Sequence, residues 1–121
     1  MNLLLLCLII FIMIEHFIIM LLEMGAPKSR LVERAFGIKK ELMMQKQYET
    51  LMKNQGLYNG FLVAGLLASF FLSIKGAMLF QVFFLSCISI AGIFAGVTVR
   101  KKIFFIQGLP AIIALILIFC Q

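Results

Sequence analysis

Four apolar runs, each long enough to cross a bilayer, leave this chain few ways to fold. They occupy residues 3–22, 56–74, 77–99 and 103–119. A helical run of about 20 apolar residues matches the hydrocarbon thickness of a membrane. The chain has 121 residues, which leaves no room for a separate soluble domain. It is 64% hydrophobic with a mean hydropathy of +1.13, too apolar for one small core to hide. The expected fold is all-α: a polytopic four-transmembrane-helix bundle, one integral membrane domain over residues 1–121. A cytoplasmic amphipathic connector is expected between helices one and two.

The first run differs from a signal peptide. It has no basic leading segment, is too long for a signal core, and has no small-residue cleavage site. Glu15 and His16 interrupt it, Glu23 closes it, and Gly25 and Pro27 end the helix. Residues 30–53 form the one strongly charged stretch. Leu31, Ala35, Ile38 and Leu42 recur at helical spacing, as do Met44, Tyr48 and Leu51, with Gly37 weakening the pattern. The mixed charges suit a helix on the membrane surface or extending from it; a solvated connector is the alternative. Lys75 and Gly76 make a short turn between the second and third runs. Pro110 removes the amide bond to Ile106 and predicts a kink near Gln107.

Basic residues set the orientation. Lys28, Arg30, Arg34, Lys39, Lys40, Lys46 and Lys53 lie in the first connector and Arg100, Lys101 and Lys102 in the third. The second carries only Lys75. Connectors one and three share a side, so that side is cytoplasmic and both termini are extracytoplasmic, in a multi-pass cell-membrane protein. The net charge of +6 reads as this topology signal, and nucleic acid is not an expected partner.

This topology brings polar residues to a common depth. His16 and Glu23 are seven apart and share a face of helix one; Glu15 is turned about a quarter-circle from them. Gln55 and Asn59 form one i, i+4 pair entering helix two, and Asn54 and Tyr58 form another. Thr98 lies near the cytoplasmic end of helix three and Gln107 about one turn into helix four. Polar groups at membrane depth mark function or helix contact. His16 and Glu23 are the candidate catalytic acid and base. Glu15, Asn54, Gln55, Tyr58, Asn59, Thr98 and Gln107 are the candidate substrate-binding residues. Glu15 reads as a proton carrier or as a neutral acid bonded to a neighbouring helix. The competing reading for the amides and Thr98 is helix glue, at roughly 1 kcal/mol per bond.

No metal site is expected, because the i, i+7 spacing of His16 and Glu23 is not a usual bidentate ligand pair. No cofactor is identified. Cys7, Cys87 and Cys120 lie far apart in apolar runs and read as small hydrophobes, although a Cys7–Cys120 link outside is conceivable. Gly56, Gly60, Ala64 and Ala68 repeat every fourth position on helix two, and Gly92 and Gly96 do so on helix three. Such stripes permit tight packing within one chain or between copies.

The run NQGLYNGFLVAGL, residues 54–66, resembles the signature of the domain of unknown function 1304 family, small integral membrane proteins. The likeness extends to EHFIIMLLEM (15–24), CISIAGIFAGVTV (87–99) and QGLPAIIALIL (107–117). It covers all four runs and leaves the first connector loose. The family pattern often has a Trp near the proline after the first run; this chain has none. The resemblance singles out His16, Glu23, Asn54, Gln55, Tyr58, Asn59, Gln107 and Pro110, and implies no specific activity.

Three functions fit. The first is a small, proton-coupled transporter or efflux protein for a small or amphiphilic molecule. The second is a membrane-embedded enzyme or binding protein for a lipid-like substrate. The third is a structural subunit. The partners expected are the lipid bilayer, a small amphiphilic or polar ligand, and further copies of the chain, since four short helices enclose little volume. Soluble catalytic templates find no match: there is no G-x-S-x-G, H-E-x-x-H or phosphate-binding glycine loop.

Overall fold

In the computed structural model, which describes residues 1–121, six helices and no strand make up the chain. Helix α1 spans Leu3–Gly25, with the Asn2 side chain accepting from the Leu5 amide at 2.8 Å as its N-cap. Two short helices follow, α2 (Arg30–Phe36) and α3 (Lys40–Met43). Then come α4 (Tyr48–Ser69), α5 (Ile74–Thr98) and α6 (Lys101–Phe119), the last containing a π turn over Phe104–Gly108. Helices α1, α5 and α6 are long and apolar enough to cross a membrane. Helix α4 has 22 residues, but Glu49, Lys53, Asn54 and Gln55 in its first turns make it more polar.

The four long helices alternate in direction. Leu5, Ser69, Gln81 and Ile118 border one cavity, so the start of α1, the end of α4, the start of α5 and the end of α6 meet there. At the opposite end Glu23 of α1 meets Asn59 of α4, and Arg100 before α6 reaches the backbone of α2. This is an up-down-up-down bundle. Helix α1 supplies its seam: Leu5, Ile9, Ile12, His16, Ile19 and Glu23 are its buried residues. Their alternating spacing of four and three keeps one face of a helix against its neighbours. Leu5, Ile9 and Ile12 join Leu66, Leu85, Ile88, Ala111, Ala114 and Ile118 in one apolar core.

Glycines set the closest approaches. A Cβ on Gly92 would lie 2.5 Å from the Gly108 Cα, so α5 and α6 touch backbone to backbone there. Gly56 and Gly60 of α4 face Met20, Glu23 and Met24 of α1. The small-residue stripe expected along α4 departs from this face beyond Gly60. Ala64 is exposed, and Gly65 is buried against Phe84 of α5 instead.

Several boundaries differ from the sequence expectation. Helix α4 begins at Tyr48 and ends at Ser69, ahead of 70–74. Lys75 and Gly76 belong to the first turn of α5, whose N-cap is Ser73, and the turn lies over 70–73. The expected amphipathic connector is two short helices, because Gly37 adopts a left-handed φ of 64° and caps α2. Leu31 and Leu42 are exposed, whereas Val32 and Met43 are buried with Tyr48 in a small second core. The Tyr48 hydroxyl donates to the Pro27 carbonyl at 2.7 Å and ties the connector to α4. The break expected at Pro110 takes the form of the π turn: the Leu109 amide donates to the Phe104 carbonyl five residues back.

The backbone contact at Gly92 gives a direct expectation. Gly92→Ala lowers stability by about 1–3 kcal/mol, since backbone cannot yield as a side-chain tip would. Gly25→Ala, where an added Cβ meets nothing within 4 Å, stays within about 0.5 kcal/mol. Denaturant titration of the two variants in detergent measures both.

Candidate functional site

The seam of α1 makes the site, because two of its core-facing positions are polar. His16 and Glu23 are 3% and 5% exposed, among neighbours that are otherwise apolar. Buried polar groups need partners, and each has one. The His16 Nδ1 lies 3.0 Å from the Ile12 carbonyl. A carbonyl only accepts, so Nδ1 carries the proton in that bond and Nε2 is left without a protein partner. The Asn59 Nδ2 donates to Glu23 Oε2 at 2.8 Å and to the Gln55 carbonyl at 3.2 Å. Both N–H bonds of that amide are thereby used, which leaves Glu23 Oε1 and Asn59 Oδ1 as acceptors.

These groups face a cleft of about 700 Å³ at the connector end of the bundle. Of its 18 lining residues 13 are apolar, which leaves five polar ones: His16, Glu23, Gln55, Asn59 and Gln107. A largely apolar wall with a few converging polar groups is the usual make-up of a ligand site. Gln107 sits inside the π turn of α6, where an extra residue per turn is accommodated. Helix α5 contributes Cys87, Ala91, Ala95 and Val99. The core begins below: Ile12 is one turn from His16, and Ala111 is one turn from Gln107.

The structure thus brings together His16, Glu23, Gln55, Tyr58, Asn59 and Gln107, all lining one cleft. Tyr58 does so from an outer position at 62% exposure. Three predicted residues lie elsewhere. Thr98 is exposed, and its hydroxyl donates to the Phe94 carbonyl of its own helix at 2.7 Å. Thr98 does not line the cleft, so the polar set comes from three long helices rather than four. Asn54 is exposed, one residue short of the cleft-facing pair. Glu15 borders a second cavity of about 170 Å³ between α1, α2 and α6, which Lys102 and Gln107 also line. Both of its carboxylate oxygens are buried without a hydrogen-bond partner.

The sequence reading missed the roof of the cleft. Phe36, Ile38 and Leu42 of the connector close over it, and Met52 joins them from the first turns of α4. Ile38 and Leu42 were visible as periodic apolar positions, but the periodicity named no partner. The Gln81–Ser69 pair at the far end was also missed. Gln81 Nε2 donates to Ser69 Oγ at 3.2 Å, and Ser69 donates to the Leu66 carbonyl. That pair satisfies itself between α4 and α5. The chain has no cluster of three metal-ligating side chains of the His, Cys, Asp and Glu types.

A family model described as "Protein of unknown function (DUF1304)" matches residues 10–119. The uncharacterized protein YpaA of Lactococcus lactis subsp. lactis (strain IL1403) is 35% identical to this chain over 116 residues, which cover 96% of this chain and 97% of that protein. No solved structure matches. This chain therefore belongs to the DUF1304 family.

The Glu23–Asn59 bond is testable as a pair. In a double-mutant cycle of Glu23→Ala and Asn59→Ala, the coupling energy is expected at about 0.6–1.7 kcal/mol, the range for hydrogen bonds between membrane helices. Denaturant titration of the four proteins in detergent gives the value. Strict additivity would contradict the bond.

Proposed function

From membership of that family and the make-up of the cleft, we propose that this is an integral membrane protein of four crossings that binds an amphiphilic molecule. The observation that carries the reading is the lining of the cleft: 13 apolar residues around five polar ones, all at one end of the bundle. An amphiphile fits both parts. Its polar portion meets His16, Glu23, Asn59, Gln55 and Gln107, and its apolar portion lies along Ile19, Phe61, Leu62 and Ala91. The nine-residue apolar core beneath supports a pocket open on one side over a polar path through the bundle. His16 Nε2 and Glu23 Oε1 add a base and an acid-capable group beside the bound polar portion. Binding is the activity assigned, and proton transfer on the bound molecule is the chemistry this pair supplies.

The fourth crossing is α4. It lies antiparallel to α1, in close contact through Gly56 and Gly60, and against α5 through Gly65. Beyond its polar first turns it presents Leu57, Phe61 and Leu67 outward. A helix packed along neighbours that span shares their environment. Connectors one and three meet at one end, as the Arg100–Arg34 contact requires. Their basic residues make that end cytoplasmic, with both termini outside.

Transport is the second reading, and Glu15 favours it. A carboxylate with two unpartnered buried oxygens, facing a separate cavity, is a group that can carry a proton.

Two measurements test these readings. With dioctanoylglycerol as a neutral probe, the detergent-purified protein is expected to bind saturably, and Gln107→Ala is expected to weaken binding about fivefold, the loss of one hydrogen bond. Equilibrium dialysis reads this out; no binding by the folded protein overturns the amphiphile reading. Flux of protons into proteoliposomes that depends on added amphiphile and is lost in Glu15→Gln would instead establish transport. For topology, Lys75→Cys in a cysteine-free background is expected to react with an impermeant maleimide from outside intact cells, whereas Lys46→Cys reacts only after permeabilisation. The reverse pattern overturns the orientation.

A further inference from the structure

Beside the amphipathic cleft lies a further concavity of about 630 Å³ with a different chemistry. Arg30, Arg34, Lys40 and Arg100 border it, with Glu33 as the one carboxylate and Ile38 as the one hydrophobic residue. The two ion pairs of the chain lie elsewhere, both at Glu49 with Lys28 and Lys53. Basic residues in these connectors are expected as orientation signals, but an orientation signal only needs charge on the correct side. It does not need cations from segments 66 residues apart gathered round one hollow. Here the gathering is built. The Arg100 Nη1 donates to the Arg34 carbonyl at 2.8 Å, with the Ala35 carbonyl at 3.5 Å. The guanidinium lies under Gly37, where an added Cβ would sit 3.4 Å from it. Arg100 is thus held at the carboxyl end of α2 beside Arg34, against the repulsion of like charges.

The connector segment is the partition between the two hollows. Phe36, Ile38 and Leu42 face the amphipathic cleft, while Arg34 and Lys40 face the basic one, and Ile38 borders both. We propose that the basic hollow receives the phosphate of a phosphate-bearing amphiphile whose uncharged part occupies the neighbouring cleft. The inference rests on the amphiphile reading above and deepens it by naming the head group. Four cations against one carboxylate exceed what a single carboxylate would neutralise. A phosphate monoester brings close to two negative charges and three acceptor oxygens. Guanidinium groups match such oxygens in pairs. The ordered backbone contact of Arg100 leaves its remaining N–H groups for this purpose.

The experiment compares three probes on the full chain in neutral detergent: dioctanoyl phosphatidic acid, dioctanoylglycerol and inorganic phosphate. The expected result is at least tenfold tighter binding of the phosphatidic acid than of dioctanoylglycerol, with the preference shrinking as salt is raised. The double variant Arg34→Gln with Lys40→Gln is expected to lose that preference while keeping its affinity for dioctanoylglycerol. Both substitutions are at exposed positions, and retained dioctanoylglycerol binding shows that the variant is folded. Equal affinity for the two lipids, or a preference unchanged in the double variant, overturns the phosphate assignment and leaves the amphiphile reading standing. Inorganic phosphate binding that Arg34→Gln with Lys40→Gln abolishes, with no gain from acyl chains, places a free anion in the hollow and overturns the shared site. Binding of none of the three overturns both.

Discussion

A carboxylate on the core-facing seam of an apolar helix costs least when another helix supplies a donor. Glu23 occupies the last position of the α1 seam, and Asn59 answers it at 2.8 Å. Much else follows from making that contact possible. A bond of this length across two helices needs their backbones close together, and Gly56 and Gly60 allow that approach on either side of it. The same closeness turns Asn59 inward and commits its amide protons to Glu23 and to Gln55. It also brings the charged first turns of α4 up beside the end of α1, where Tyr48 bonds Pro27. The polar end of the bundle is therefore organised by the same contact that pins its first two long helices.

The opposite half of the molecule follows a different rule. There α1 offers Leu5, Ile9 and Ile12, and the other helices answer with Leu66, Leu85, Ile88, Ala111, Ala114 and Ile118. The seam keeps its four-three spacing throughout, so one helical face passes from apolar packing to polar contact within a turn. That transition separates Ile12, in the apolar core, from His16, which lines the cleft. Pinning His16 by its Nδ1 proton to the Ile12 carbonyl fixes the ring and leaves Nε2 without a protein partner. The boundary between the packed half and the open half thus falls between Ile12 and His16 on α1 and between Ala111 and Gln107 on α6.

Four helices and their alternating course were legible because apolar length and breaker residues act locally. Glu15, His16, Glu23, Asn59 and Gln107 stood out because polar residues in apolar runs are rare for energetic reasons. What depended on rotation or on long-range contact was not legible. Thr98 lies near the end of α5, but sequence alone did not show which side of α5 meets its neighbours, and Thr98 is on an exposed one. Asn54 and Gln55 differ by one position, and only packing against α1 shows which one reaches the cleft. The connector read as amphipathic because Leu31, Ala35, Ile38 and Leu42 are helically spaced. The left-handed turn at Gly37 breaks that register, so Val32 and Met43 are buried instead. The second run ends early because Ser73 caps α5, which takes Ile74 into the third long helix.

The π turn of α6 shows how one local irregularity serves the site. Proline at 110 cannot donate to the carbonyl of Ile106, so some accommodation in this part of the helix is unavoidable. Here a π turn adds a residue to the turn and shifts the face that the preceding segment presents. It spans Phe104–Gly108, which puts Gln107 on the wall shared by the cleft and the Glu15 cavity. It ends at Gly108, where α5 comes closest through Gly92. The glycine pair removes the side chains that would hold α6 away, and the π turn rotates the amide inward. The two irregularities meet at Gly108, next to the residue that presents a polar group to the cleft.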